Sequence, residues 1–402
     1  MKKQTVKKQI VNKQSIFFIG KILLVVLAAV SIIFIAASSF SNVTFSNIKG
    51  TIDSFFLNAK KGDGYPYECS NLSPERTGVI GSYLALLDDS TVVFLNKTAK
   101  EVLKSDTTYT NPDMKISNGR ALVYNRGGSS FIVTGQSDIL YDNNETADVF
   151  KDGIITAAIG GNGNLGFATW TDEGTSKFIA LNKKLSTEFY YVFGSDRAFY
   201  VALSDNGKYG ACAVFGAENA TYYSKLYIFD FSKTEPVKVV KYADETLIRV
   251  DFLDNKTLSV VTDVKRRIIT IADKTEKNVV DFSMHNLESV DFDSASKRSA
   301  LCYSKYGSTS NVICGFDKRG KETCRIEDVE NVKQVKCNSK RIAVLTDEKI
   351  LCYNYNGKLK NTIELSFNVD SIEFTSSSGL FVFSGSNVYK VKMAKNTVLE
   401  AE

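Results

Sequence analysis

Few residues of this 402-residue chain are of types whose spacing could do chemistry. His285 is the single histidine, so a Ser-His-Asp or Cys-His nucleophile would have to use it, and no G-x-S-x-G elbow occurs in the sequence. It reads instead as a structural or surface residue in the turn FSMHN, and one histidine cannot build a histidine-based zinc centre. Gly161, Gly163 and Gly166 spell G-x-G-x-x-G. They lie between two strand-like runs, ITAAI and FATWT, with no helix N-terminus to receive a pyrophosphate, so turn glycines with positive φ are expected. No P-loop is present.

Seven cysteines, Cys69, Cys212, Cys302, Cys314, Cys324, Cys337 and Cys352, are an odd number and cannot form a complete disulfide framework. Cys302 and Cys314 are symmetric about position 308, and Cys314 and Cys324 about position 319, which would set three thiols side by side on neighbouring strands. Buried small apolar cysteine is the leading reading, a Cys302–Cys314 cross-strand disulfide the second and a metal site the last. Carboxylates such as Asp88, Asp89, Asp142 and Asp205 are scattered through turn-like segments without the fixed spacing of an acid/base pair. Six N-x-S/T sequons begin at Asn42, Asn71, Asn96, Asn144, Asn219 and Asn255 and read as turn residues. No catalytic residue, cofactor site or metal site is therefore assigned. The candidate binding-surface residues are the aromatics Trp170, Tyr222, Tyr223 and Tyr306, which fall near presumed loop ends.

The elements that must position these residues are strands. From about Tyr65 to Met393 short runs of Val, Ile, Phe, Tyr and Thr alternate with Gly, Asn, Asp and Ser, without helical periodicity. One unit, VALSDNGKYGACAVFG followed by KLYIFDF and PVKVVKY, recurs along the chain, for example as VDFLDNKTLSVVTD, RRIITIAD and KNVVDFS. Taking the end of each first strand as a marker gives Ile80, Ile116, Ile159, Leu203, Phe252, Phe292, Cys337 and Phe374, with a mean spacing of 42 residues. Four strands per 40 to 45 residues is the signature of a propeller blade. The fold class is all-β, a β-propeller of eight blades with seven as the alternative, preceded by one N-terminal transmembrane helix. YPYECS, ahead of the first complete unit, is expected to supply the strand that the last unit lacks and so close the ring. Tandem immunoglobulin-like sandwiches or an open β-solenoid fit the spacing less well.

Four segments follow. Residues 1–14 form a basic tail with five lysines and no acid. Residues 15–40 form the span; Ile16 to Ala37 covers roughly 33 Å, enough for the ~30 Å bilayer core. Lysines on the leading side place the N-terminus in the cytoplasm and the remainder outside. A cleaved signal peptide is the competing reading. Residues 41–64 are a juxtamembrane linker with Ile48, Ile52, Phe55, Phe56 and Ala59 at helical spacing. Residues 65–402 form the propeller.

The net charge of +5 comes from the tail and the span. Residues 1–40 hold six lysines and no acid, leaving 44 basic and 45 acidic residues beyond them. The excess reports membrane topology rather than nucleic-acid binding.

The basic tail, single span and amphipathic spacer, together with GDGYPYECS, YLALLDDSTVVFLNKTAKEV and NPDMKISNGRALVYNRGGSSFIV, resemble an uncharacterised family of bacterial, mainly Gram-positive, single-span membrane proteins whose outer part is a domain of unknown function. The resemblance covers nearly the whole chain. It implies a cell-surface, propeller-like domain and carries over no catalytic residue.

Two functional classes compete. In the first, a propeller on the outer face of the cell membrane is a non-catalytic scaffold or sensor for an extracellular protein, peptide or cell-wall glycan. In the second, it is a glycan-acting or quinoprotein-like enzyme with its site in the central channel, since propeller glycosidases need only two carboxylates. The absence of a nucleophile, base or metal constellation places the first ahead. Two converging carboxylates about 5 to 9 Å apart would favour the second.

Overall fold

Eight sheets, seven of four strands and one of five, antiparallel apart from the added fifth strand, hold every strand among the described residues. The structure, a computed structural model, describes residues 61–69, 76–143, 150–273, 276–375, 379–393 and 397–400. The span expected at 15–40 and most of the juxtamembrane linker lie outside the described residues. Among the described residues no helix is long and apolar enough to cross a membrane.

Seven blades follow the chain in order, within Thr77–Asp106, Pro112–Asp142, Ile154–Phe193, Arg197–Ala243, Leu247–Asp281, His285–Glu330 and Gln334–Leu365. The eighth has three strands of its own between Ser371 and Lys392, and Tyr67–Glu68 pairs with the last of them. The N-terminal strand thus closes the ring as its sequence suggested. Tyr67 opposes Val388, Glu68 opposes Asn387, and the Cys69 amide donates to the Ser386 carbonyl at 2.7 Å. Thr397–Leu399 adds a parallel fifth strand to the outer edge of blade seven.

The sequence dictates this layering. Second strands such as Tyr83–Leu87 are buried at every position, because each sheet is covered on both faces by its neighbours. Fourth strands such as Thr187–Phe193 alternate between buried and exposed residues, as an edge half in water must. A hydrophobic cluster fills each of the eight junctions between blades. Each fully buried Leu, Ile or Phe there contributes about 1.5–3 kcal/mol.

The turns define two ends. Turns joining first to second and third to fourth strands lie at one end, called lower here; second–third turns and the links between blades lie at the other, called upper. The lower third–fourth turn recurs with an Asx residue at its start. Asn96 Oδ1 accepts the Thr98 and Lys100 amides at 2.9 and 3.0 Å, and Asp317 Oδ1 accepts those of Arg319 and Lys321 at 2.9 Å. Three residues further on, the backbone enters the left-handed region at Ala99, Leu185, Gly320 and Gly357. Asn96 is thus a turn residue, as its sequon suggested, and Asn219 is another, with φ 49 in the upper hairpin of blade four.

Candidate functional site

The four aromatics expected to mark a surface all sit toward the upper end, but on blades three, four and six, so they form no single site. Tyr306 and Tyr222 are open to solvent at 85% and 79%, and Trp170 ends its strand partly exposed. Tyr223 is different, at 8%. Its hydroxyl donates to Asp196 at 2.6 Å, and the ammonium groups of Lys225 and Lys241 lie 4.4 and 4.5 Å from its ring centre. Asp196 also accepts from Lys225 Nζ at 3.0 Å and from the Tyr227 hydroxyl at 3.1 Å. Burial pushes the Asp196 carboxyl up, but these donors outweigh it and hold the group below its ordinary value. Tyr223 is therefore rim packing, its polar and π capacity already spent within blade four.

The motifs set aside on sequence grounds resolve physically. His285 closes the turn from Phe282, its amide donating to the Phe282 carbonyl at 2.8 Å, and opens blade six's first strand; its ring meets Tyr303 edge-on at 5.0 Å, and Nδ1 is buried without a hydrogen-bond partner among the described residues. Only Gly163 of the glycine trio has positive φ. A Cβ on Gly161 would lie 2.8 Å from Asp205 Oδ1, and one on Gly166 would press on Val201 and Leu203 at 3.1 and 3.2 Å. Close approach of neighbouring side chains, not positive φ, is what distinguishes those two glycines.

All seven cysteines are buried, and no disulfide joins them. The symmetry expected about 308 and 319 is off by one residue: Cys302 opposes Ile313, Cys314 opposes Leu301 and Arg325, and Cys324 opposes Gly315. One residue of register reverses the face. Cys302 and Cys324 consequently join the core between blades six and seven, while Cys314 joins the core between five and six. Burial pushes the thiols of Cys302, Cys314 and Cys352 up to about 12, far from a nucleophilic thiolate.

In the later blades charge concentrates on the first strands, at the residue preceding the marker. That position is Asp251, Asp291, Lys336 and Glu373 in blades five to eight. Arg249 grips Asp251 through two bonds of 2.7 and 3.2 Å, and Lys336 Nζ lies 2.7 Å from Glu373 and 3.7 Å from Asp291. Neighbouring first strands are further tied side chain to backbone: Ser289 Oγ accepts the Val335 amide at 3.0 Å, Asp291 Oδ2 that of Cys337 at 2.8 Å, and Gln334 Oε1 that of Ile372 at 2.8 Å. Burial lifts the Glu373 carboxyl above its ordinary value against the pull of Lys336. Two carboxylates do meet here, but on a shared ammonium that joins three blades.

Between blades five and six the first strands part, and a crevice of about 530 Å³ opens there at the upper end. One wall is the start of blade six, residues 285–290, and the other includes Ile248, Asp263 and Val264 of blade five. Because His285 and Lys305 are the last pair of their ladder, Met284 and Tyr306 are the next residues outward; both are exposed, Met284 at 81%. Each of the two flanking first strands carries a one-residue bulge, at Ile248 and at Glu288. Blades three and four have the same bulge, at Ile155 and Phe199. A bulge re-aims the residue it leaves unpaired.

Apart from His285, which was set aside as a structural or surface residue, none of the crevice residues was singled out in the sequence. The available signal was the repeat itself: Ile155, Phe199, Ile248 and Glu288 each stand four residues before their blade's marker, and only the last is charged. Among the described residues no group of three His, Cys, Asp or Glu side chains is placed to hold a metal.

The architecture is similar to that of solved structures of remote sequence. Saccharomyces cerevisiae Sqt1 superposes with a TM-score of 0.56 at 8% identity, over 83% of this chain and 100% of that one. A eukaryotic initiation factor superposes with a TM-score of 0.51 at 15% identity, over 80% and 82% of the two chains. At such identities the likeness shows the fold alone. No curated protein matches the chain in sequence. Residues 67–393, from the closing strand to the end of blade eight, match the profile of DUF5711, and the chain belongs to that family of unknown function.

Proposed function

We propose that the protein is a binding propeller, a non-catalytic scaffold or sensor held at the outer face of the cell membrane by residues 15–40, with its N-terminus in the cytoplasm, and that an extracellular protein, peptide or cell-wall glycan engages its upper end. The observation that carries this reading is the division of labour between the ends. Exposed Trp170, Tyr222, Met284 and Tyr306 and the crevice gather at the upper end, whereas the lower turns spend their polar groups on one another. Exposed aromatic and Met side chains beside a concave surface are what an interface requires. The lysines before residue 15 and the apolar run after it support the anchor.

The channel enzyme remains the alternative, with Asp291 and Glu373 as its carboxylates. Their shared Lys336 and their backbone bonds support a role in joining blades instead.

The location can be tested directly, because all seven native thiols are buried. Tyr306→Cys in an otherwise native chain should react with a membrane-impermeant maleimide on intact cells. Labelling that requires lysis would overturn the proposed topology.

A further inference from the structure

We infer that the crevice between blades five and six receives a cationic side chain, a lysine or arginine from an extended segment of a partner, with Glu288 as its principal acceptor. This rests on the reading of the upper end as a binding surface and names the chemistry that the surface selects.

The repeat supplies the first observation. Four consecutive blades carry a bulge at the same place in their first strand. Ile155 and Phe199 fill it by packing half-buried against the junction cores, and Ile248 stands at the crevice. The backbone is therefore satisfied by an apolar residue three times over, and nothing in the bulge demands a carboxylate. Blade six nevertheless places Glu288 there, exposed, with the Ser304 hydroxyl donating to its Oε1.

The second observation is charge. Several acids near the upper end of these blades are paired: Glu218 with Lys241 at 2.5 Å, Glu245 with Arg267 at 2.8 Å, Asp281 with Lys265 at 3.3 Å. Glu288 and Asp263, on opposite walls of the crevice, make no ion pair among the described residues, and no lysine or arginine lines the space. Asp263 Oδ1 accepts only the Thr246 amide, at 2.9 Å. Two unneutralised carboxylates beside apolar surface match one kind of guest, a long apolar stem with a positive head. The stem would lie along Val264 and Leu287, and the guest's flanking residues would reach Met284 and Tyr306 at the rim. A metal ion fits less well: His285 also lines the crevice, but among the described residues it, Asp263 and Glu288 are not close enough together to hold one.

The test titrates fluorescein-labelled Gly-Leu-Lys-Leu-Gly, capped at both ends, into the full-length chain, beside twins carrying arginine or norleucine in place of lysine. The lysine or arginine peptide should bind at least tenfold more tightly than the norleucine twin. Glu288→Gln keeps an acceptor for Ser304 and should weaken the cationic peptides about tenfold while leaving the unfolding midpoint unchanged. Val264→Lys, which brings the chain's own ammonium into the space, should abolish their binding. Equal binding of the norleucine twin, unaltered affinity in Glu288→Gln, or no binding of any peptide would overturn the inference. If a partner still cross-links to Tyr306 in those cases, the upper-end reading survives and only the cation claim falls.

Discussion

The two ends of the propeller use similar turn residues for opposite purposes. At the lower end the first–second turns of five consecutive blades bind one another. Asn118 Nδ2 donates to the Gly161 carbonyl at 2.7 Å, Gly161 packs on Asp205, the Asn206 amide donates to Asn255 Oδ1 at 3.1 Å, and Lys297 reaches Asp205 at 2.8 Å from blade six, past blade five. At the upper end Trp170, Tyr222, Met284 and Tyr306 are exposed, and Asp263 and Glu288 make no ion pair among the described residues. Within the single junction between blades five and six both behaviours occur. Arg266 lies buried across it, its guanidinium 3.6 Å from the centre of the Phe316 ring and its NH1 donating to the lower-turn carbonyl of Gly320 at 3.0 Å. Above it the crevice opens. A surface is available to a partner only where the chain has not already used it, and on the proposed reading that is the upper end.

Substitutions should separate the ends by their effect on stability. The largest loss is expected from Arg266→Ala, about 3 kcal/mol in urea unfolding, because it leaves a cavity and an unpaired carbonyl in the smallest junction core. Burial already pulls this guanidinium down to about 10, so Arg266→Met, which keeps most of the volume, should cost much less. An equal loss in both variants would show that the charge, rather than the filled space, holds the junction.

Asp196→Asn at the upper rim of blade four should cost about 1–2 kcal/mol at pH 7, through weakened bonds from Tyr223, Tyr227 and Lys225. Because the folded carboxyl is held below its ordinary value, its contribution is present above the unfolded pKa and disappears as pH falls through the folded one. The two unfolding curves should therefore converge below about pH 4. A gap that persists there would mean the loss is steric.

At the lower end, a double-mutant cycle on Lys297 and Asp205 should give a coupling of about 0.5–1 kcal/mol, since Asp205 is half exposed and screened. A coupling near zero would remove that tie from the contrast. The smallest effect belongs to Ala220, left-handed with φ 61 in the upper hairpin of blade four. Ala220→Gly should stabilise by about 0.5 kcal/mol, because glycine occupies that region without its Cβ penalty.

Much of the architecture was legible in the repeat. The eight markers fall at or one residue before the ends of the eight first strands, and YPYECS supplies the closing strand. Turn polarity and strand hydrophobicity have a period that survives in any copy of the blade. Side-chain facing did not survive the same treatment. Symmetry about a presumed turn centre misplaced Cys302 and Cys314 by one residue, because the centre of a hairpin is set by turn geometry, and one residue changes the face. The crevice was missed for a related reason. A bulge leaves the spacing of markers unchanged, so it is silent in the period and speaks only through the residue placed on it. Tyr223 and Tyr222 are adjacent and identical in type, yet opposite in exposure, and only the pleat distinguishes them.

The central claim, that partners meet the upper end, is tested most directly by paired photo-cross-linking in intact cells. A benzophenone amino acid would replace Tyr306 at the upper rim of blade six or Asn356 in the exposed lower turn of blade seven. The upper position should yield a discrete adduct and the lower one none above background. Adducts of equal strength from both positions, or from Asn356 alone, would contradict the account.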